Sequence, residues 1–257
     1  MTEPLNLMPF VTSCEFVHDQ EDMIDEKKQD ARNTMLAYVE QLYRDNSYLD
    51  AYRLHTDFRV NLGSSGAVGG MWERIGKVQF DFLIAQGLKP RHTLLDIGCG
   101  TLRGGRHFIA YLEAKKYTGI DLSANTIEAA HELIESEHLS DKNPKLIINP
   151  TGSLKFEQFT GKRFDYILAQ SVFTHLMPQH IEECFQHIHT IMGPQSKFYF
   201  TYNREDKHRR VGLKNFKYPL SYFEELAKQY HYTIRDLTDQ YHHPRPASML
   251  ELMKQAD

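Results

Sequence analysis

Cysteine is scarce in this chain, and long hydrophobic runs are missing from it. The 257 residues include three scattered cysteines (Cys14, Cys99 and Cys184), none of them in a C-x-x-C pair. Such a set predicts reduced thiols, not a disulfide framework. No apolar stretch is long enough to span a bilayer, and no apolar run follows a basic start, so we expect neither a membrane partner nor a secretory signal. The sequence therefore predicts a cytoplasmic globular protein.

A strong charge of one sign is also missing. The chain has 34 acidic and 30 basic residues and a formal net charge of −4. Nucleic-acid binding usually needs a basic surface, so we expect no nucleic-acid partner. The 14 histidines show no zinc-ligand spacing, and we predict no required metal. Composition and pattern leave the oligomeric state open.

The most informative stretch, residues 93–105, reads TLLDIGCGTLRGG. Its apolar residues predict a buried strand that breaks into a glycine-rich turn before a helix. Gly98 and Gly100 lack a Cβ, so the backbone can bend sharply and lie against a ligand. The N–H groups at the start of the next helix point to the same place. A tight turn without a ligand is the alternative interpretation.

A second predicted strand, residues 117–121, ends in Asp121. This acid lies about 20 residues beyond the glycines, where a doubly wound fold places a ribose-binding carboxylate. A carboxylate can accept hydrogen bonds from both ribose hydroxyls. The third glycine of a dinucleotide G-x-G-x-x-G motif would fall at Arg103, which argues against a nicotinamide-dependent oxidoreductase.

These residues carry a family resemblance. The segment from Asp96 to Gly100, DIGCG, and the segment ending at Asp121, GID, resemble motifs I and II of the class I S-adenosylmethionine-dependent methyltransferases. Residues 69–73, 102–105 and 171–176 resemble a bacterial subgroup of methyltransferase-domain proteins. The resemblance covers roughly residues 70 to 255 and departs from the family at Leu102, where a third glycine is usual. It implies an α/β fold with a seven-stranded, Rossmann-like sheet that is mostly parallel, with an antiparallel last strand and flanking helices.

The same resemblance implies S-adenosylmethionine as the cofactor and a set of residues that bind it. Arg103 or Arg106 could reach a carboxylate at the methionine end, and Asn149 could contact the adenine. The alternatives are solvated arginines, a turn asparagine before Pro150 and core packing for Trp72. The expected cofactor-binding residues are Asp96, Gly98, Cys99, Gly100, Arg103, Asp121, Leu122, Asn149, Gln170, Ser171, Gly70 and Trp72.

The acceptor side is expected at the ends of the next two strands, residues 163–171 and 196–203. His175 follows the first and is the candidate catalytic base, although a packed histidine is the alternative. Tyr202 and Asn203 end the second and, with His208, are candidate substrate-binding residues. His208 belongs to the basic segment 204–217, which we interpret as a solvated loop or as a lid that recognises an anion.

Two regions are predicted. Residues 1–70 form a helical extension with a glycine-rich loop, serving as a cap or a docking surface, and residues 71–257 form the methyltransferase domain. The extension should contain helices over residues 19–46 and 48–54.

The predicted function is transfer of a methyl group from S-adenosylmethionine to an oxygen or nitrogen of a small-molecule acceptor. Two alternatives stay open at this point: the same chemistry on a protein or peptide, and a non-catalytic regulator that binds the cofactor.

Overall fold

The computed structural model describes residues 13–63 and 71–255, with side chains from residue 29 onward. The chain divides into two compact units, Met1–Asp45 and Asn46–Asp257. The first contains helix α1 (Ser13–Asp45), which confirms the predicted helix over residues 19–46. The predicted domain boundary at residue 70 differs from this division, because the second predicted helix belongs to the second unit.

The second unit is built on one nine-stranded sheet. Strands β1 to β5 are parallel and lie in the order β3-β2-β1-β4-β5. β9 pairs with β5 in antiparallel fashion, and β8 pairs with β9. The strands are β1 (Leu94–Ile97), β2 (Tyr117–Asp121), β3 (Lys145–Ile148), β4 (Phe164–Ala169), β5 (Met192–Arg204), β6 (Arg209–Val211), β7 (Asn215–Tyr218), β8 (Tyr232–Asp236) and β9 (Ser248–Lys254).

Helices in this unit precede the first strand or connect later strands. Ser123 caps α5, because its Oγ accepts the backbone N–H of Thr126 at 3.0 Å. The helices are α2 (Tyr48–Asn61), α3 (Trp72–Ala85), α4 (Gly105–Tyr111), α5 (Ala124–Ser136), α6 (Pro178–His187) and α7 (Leu220–Gln229).

The core lies on both faces of the parallel strands. All residues of β1 and β2 are buried, as expected for central parallel strands covered by helices. Because parallel strands run the same way, the carboxyl ends of β1, β2 and β4 meet at one edge of the sheet. This confirms the predicted Rossmann-like α/β class.

The segment predicted as a basic loop, residues 204–217, is instead largely a β-hairpin. β6 pairs with β7 in antiparallel fashion, from Arg209 opposite Lys217 to Val211 opposite Asn215. β7 also pairs in parallel with the last residues of β5. Gly212 supplies a left-handed φ of +61° in the turn. Phe216 and Tyr218 alternate into the core, a period-two signal that the surrounding charges obscure. This hairpin accounts for two strands beyond the predicted seven.

Among the described residues, none of the helices combines the length and apolar character that crossing a bilayer requires.

Helix α3 packs directly on the backbone of the glycine-rich loop after β1. A Cβ built on Gly76 of α3 would lie 2.2 Å from the carbonyl oxygen of Arg103. A Cβ on Gly104 would lie 2.2 Å from Oε1 of the buried Gln79. The glycine at 104 therefore allows a close approach between helix and loop.

We predict that Gly76→Ala destabilises the protein by about 1–3 kcal/mol, because the added methyl group must displace backbone. This cost exceeds the roughly 1 kcal/mol that alanine gains over glycine inside a helix. The matched control is Gly193→Ala, whose Cβ would meet its nearest atom at 3.5 Å. Urea unfolding of both variants checks the prediction, and equal midpoints for Gly76→Ala and wild type would contradict it.

Candidate functional site

The turn after β1 is held against β2. Gly98 and Gly100 have φ values of +68° and +58°, which glycine adopts without strain. The backbone N–H groups of Gly98 and Cys99 donate to the carbonyl of Ile120 at 2.8 and 3.1 Å. The turn is therefore fixed in position relative to the end of β2.

Asp121 ends β2 and is buried. Its Oδ2 accepts the N–H of Gly100 at 3.1 Å, and its Oδ1 accepts that of Ser123 at 3.0 Å. Burial raises the pKa of this carboxyl to about 6, while backbone N–H groups of Ser123, Gly100 and Leu122 act in the opposite direction. Since each carboxylate oxygen has two lone pairs, acceptor capacity remains for ligand hydroxyls.

Asp96 in β1 is the second buried carboxyl group. Its Oδ2 accepts the hydroxyl of Tyr117 at 2.8 Å. Burial raises its pKa to about 7, assisted by the charge of Asp121. Burial also raises the pKa of the neighbouring Cys99 thiol, which therefore stays protonated at neutral pH.

The end of β4 supplies two further polar residues. Gln170 is buried, and its amide oxygen accepts the hydroxyl of Tyr241 at 2.7 Å. Its Nε2 donates to Oγ of Ser171 at 3.0 Å. Ser171 has a φ of +57°, and its N–H donates to Thr201 Oγ1 at 2.7 Å. A non-glycine residue in this region stores backbone strain, which is common where a site is built.

His175 follows in the short helical turn Phe173–His175. Its Nδ1 lies 2.9 Å from the carbonyl oxygen of Lys214, which can only accept, so Nδ1 carries the proton and Nε2 is the acceptor nitrogen. Burial, together with the charges of Lys214 and Arg59, lowers its pKa to about 4. The imidazole is therefore neutral at pH 7.

These groups line one cavity of about 420 Å³ at the carboxyl edge of the sheet. The volume lies within the usual range for ligand pockets, roughly 300–1,000 Å³. The structure brings together twelve of the sixteen predicted site residues there: Asp96, Gly98, Cys99, Gly100, Arg103, Asp121, Leu122, Asn149, Gln170, Ser171, His175 and Asn203.

Three predicted residues are not among the described residues that line the cavity. Tyr202 is fully buried, with its ring centroid 4.6 Å from that of Phe223 and its hydroxyl accepting from Arg204. His208 stacks on Tyr218, with ring centroids 4.7 Å apart. Trp72 lies at the start of α3, where the guanidinium of Arg106 is 6.0 Å from its ring. Gly70 lies outside the described residues.

Two predicted cofactor contacts have local partners. Asn149 lines the cavity, but its Nδ2 donates to the carbonyl of Ser153 at 2.9 Å, so it also organises a turn. Arg106 forms ion pairs with Glu73 and Glu137. Of the two candidate arginines, Arg103 lines the cavity, where burial lowers its pKa to about 10.

The predicted site residues did not include those that α2 contributes to the cavity wall. Tyr52, Thr56 and Arg59 of α2 line the cavity. Asp57 of α2 accepts a hydrogen bond from Oγ of Ser123, which links this helix to the start of α5. The predicted helix over residues 48–54 ended too early to include Thr56 and Arg59.

In the part of the chain that the structure describes, no three His, Cys, Asp or Glu side chains are placed to hold a metal ion. Independence from metal stays a prediction.

The residues present fit the cofactor implied by the sequence. The donor set is suitable for an adenosyl group, because Asp121 offers carboxylate oxygens to hydroxyls and Arg103 offers a guanidinium to a carboxylate. The glycines of the turn have left-handed φ values, which let the backbone lie close to the bound adenosyl group and to the carboxylate of the cofactor.

Comparisons with known proteins agree with this geometry. The family model for a methyltransferase domain matches residues 95–198. A SAM-dependent methyltransferase from Leishmania major is 15% identical and has a TM-score of 0.61, covering 82% of this chain and 85% of its own. The magnesium protoporphyrin IX methyltransferase of Synechocystis PCC 6803, solved with bound SAM, is 15% identical with a TM-score of 0.55, covering 78% and 96%.

A third solved structure is phosphoethanolamine N-methyltransferase 2 of Haemonchus contortus, in complex with phosphomonomethylethanolamine and S-adenosylhomocysteine. It is 15% identical with a TM-score of 0.60, covering 80% of this chain and 61% of its own. At these identities the likeness establishes a shared fold.

We predict that Asp96→Asn becomes more stable relative to wild type as pH rises from 4 to 8. The pKa of Asp96 is about 7 in the folded protein and 3.8 ordinarily, so its contribution to stability is present at low pH and is lost as pH rises through 7. At 1.36 kcal/mol per pKa unit, the relative change is roughly 4 kcal/mol.

Chemical denaturation at several pH values measures this difference. The exposed Asp141→Asn is the control, and its stability relative to wild type should stay constant over the same range. A pH-independent difference for Asp96→Asn would show that the folded state does not penalise the ionised Asp96.

Proposed function

We propose that this chain is a class I S-adenosylmethionine-dependent methyltransferase that transfers the methyl group to an oxygen or nitrogen of a small-molecule acceptor. The observation that carries the proposal is that Asp121, the glycine turn and His175 line one cavity. When bound, S-adenosylmethionine supplies an electrophilic methyl group on a sulfonium sulfur.

The residues of the chain bind the cofactor, orient the acceptor and exclude water. Asp121 accepts hydrogen bonds from ribose hydroxyls, and Gly98 and Gly100 let the backbone lie close to the cofactor. Arg103 pairs with the carboxylate of the methionine end. The walls orient the acceptor and exclude water, which supplies much of the rate.

His175 acts as the proton acceptor. Its Nδ1–H donates to the carbonyl of Lys214, so the ring is oriented with Nε2 available to an acceptor hydroxyl or amine. The lowered pKa keeps it neutral at pH 7, and a neutral imidazole is the form that takes a proton.

A small acceptor is favoured over a protein because the key groups are buried. Asp96, Asp121 and Gln170 are all less than a tenth exposed, and α2, α3 and residues 243–247 contribute walls around them. Two of the similar structures act, by their names, on a protoporphyrin and on phosphoethanolamine, both small molecules. The described cysteines, Cys99 and Cys184, are buried free thiols, which supports placing the protein in the reducing cytoplasm.

We predict that calorimetric titration detects binding of S-adenosylhomocysteine and that Asp121→Asn weakens it roughly 10- to 100-fold, because hydrogen bonds to a charged group are lost. The exposed Asp141→Asn should bind like wild type. NAD serves as the decoy ligand. Binding of NAD in place of S-adenosylhomocysteine would refute the assignment.

We predict that His175→Ala lowers kcat about 10²- to 10⁴-fold while S-adenosylhomocysteine affinity stays within about twofold. The assay follows transfer of a labelled methyl group to hydroxylated and amino metabolites. His131→Ala, an exposed histidine on α5, is the matched control. Cofactor binding without any turnover in wild type would instead support the non-catalytic regulator.

A further inference from the structure

One part of the cavity is lined by basic groups, Arg59, His175 and Lys214, which we call the basic corner. The ring of Tyr52 contacts two of these residues, because its centroid lies 5.2 Å from that of His175 and 5.5 Å from Nζ of Lys214. Helix α2 and the β6–β7 hairpin thus present positive charge to the same space.

Among the described residues, the charges that shift pKa values within the basic corner are positive. Burial, together with the charge of Arg59, lowers the pKa of Lys214 to about 8. The same two cations depress the pKa of His175 and that of the neighbouring His55. Arg103 on another wall differs: burial lowers its pKa, and Tyr241 and the carboxyl group of Asp96 act in the opposite direction.

Lys214 is the clearest member of the basic corner. In the described residues its Nζ has no hydrogen-bond or ion-pair partner, and the contact that it makes is with the face of Tyr52. The other basic side chains of the hairpin are engaged: Lys217 and Arg209 pair with Glu205, and Arg210 donates to the carbonyl of Leu213. A partly desolvated ammonium without a counter-charge is costly, so its position in a ligand cavity indicates an anionic ligand.

We propose that the methyl acceptor carries a carboxylate or phosphate group, which Lys214 and Arg59 bind beside His175. This inference rests on the proposed function, since it names the class of acceptor for the same site. The ammonium of Lys214 and the guanidinium of Arg59 are the two side-chain types that bind such oxyanions through charge-assisted hydrogen bonds.

Binding of an anion also changes the pKa of His175, the proposed base. The charged and titratable groups described around His175 are Lys214 of the hairpin and Tyr48, Tyr52, His55 and Arg59 of α2. A bound anion offsets the two cations and so raises the pKa of His175 toward its ordinary value. His175 is then a stronger base when the methyl acceptor occupies the cavity than when the methyl acceptor is absent.

The test uses the full chain saturated with S-adenosylhomocysteine and two probes, inorganic phosphate and acetate, at ionic strength held constant with sodium chloride. NMR shifts of the histidine ring protons report binding, with the His175 signal assigned by its loss in His175→Gln. We expect saturable binding of at least one probe and a higher pKa for His175 in its presence. Tighter binding of phosphate assigns a phosphate-bearing acceptor, and tighter binding of acetate assigns a carboxylate.

We expect Lys214→Gln to weaken probe binding roughly 10- to 100-fold without changing the affinity for S-adenosylhomocysteine. Lys228→Gln, an exposed lysine on α7, is the matched control and should bind the probe like wild type. Where Lys214→Gln does not fold, Arg59→Gln carries the same expectation.

Two results overturn the proposal: no saturable binding of either probe by wild type, or full probe binding by the folded Lys214→Gln. Failure of wild type to bind S-adenosylhomocysteine contradicts the proposed function itself. Normal binding of S-adenosylhomocysteine together with no anion binding contradicts only the anionic acceptor.

Discussion

The carboxylate of Asp121 accepts hydrogen bonds from Gly100, in the turn after β1, and from Ser123, at the start of α5. The turn after β1, which lies 21 residues away in sequence, is thereby fixed against the end of β2 and the start of α5 at the carboxyl edge of the sheet. Burying this carboxyl group is unfavourable, as its raised pKa shows, and the backbone N–H groups offset part of the cost. The shape of the cavity depends on this arrangement, because the turn and α5 both form its walls.

The cofactor side of the site could be predicted from the sequence because its signals are local. A buried strand, a glycine turn and an acid at the end of the next strand follow from short patterns, and parallel pairing brings them together. The acceptor side depends on tertiary contacts. Tyr202 and Asn203 are adjacent in β5, so their side chains point to opposite faces, and the cavity receives Asn203 while the core receives Tyr202. The identities of Tyr202 and Asn203 do not by themselves show which face of β5 is buried.

Charge is distributed unevenly along the cavity. Asp96 and Asp121 lie near the glycine turn, whereas Lys214 and Arg59 surround His175. Burial is the main cause of the raised pKa of Asp96 and of the lowered pKa of His175, and like charge adds to the shift at each location. Each location therefore holds unfavourable charge that a ligand of suitable polarity would relieve: hydroxyl donors at the carboxylates and an oxyanion at the cations.

The family model matches some of the residues that line the cavity and leaves others out. Residues 95–198 include Asp96, Gly98, Asp121 and His175, but not Arg59, Asn203 or Lys214. The matched segment thus includes most of the predicted cofactor contacts, while α2 and the β6–β7 hairpin supply further walls of the cavity. Because fold alone does not fix substrate, similar structures at 15% identity can share the sheet and act on molecules as different as a protoporphyrin and phosphoethanolamine. The choice of acceptor in this protein must therefore be sought in elements added around the sheet, and there Lys214 is the lysine that points into the cavity without a counter-charge among the described residues.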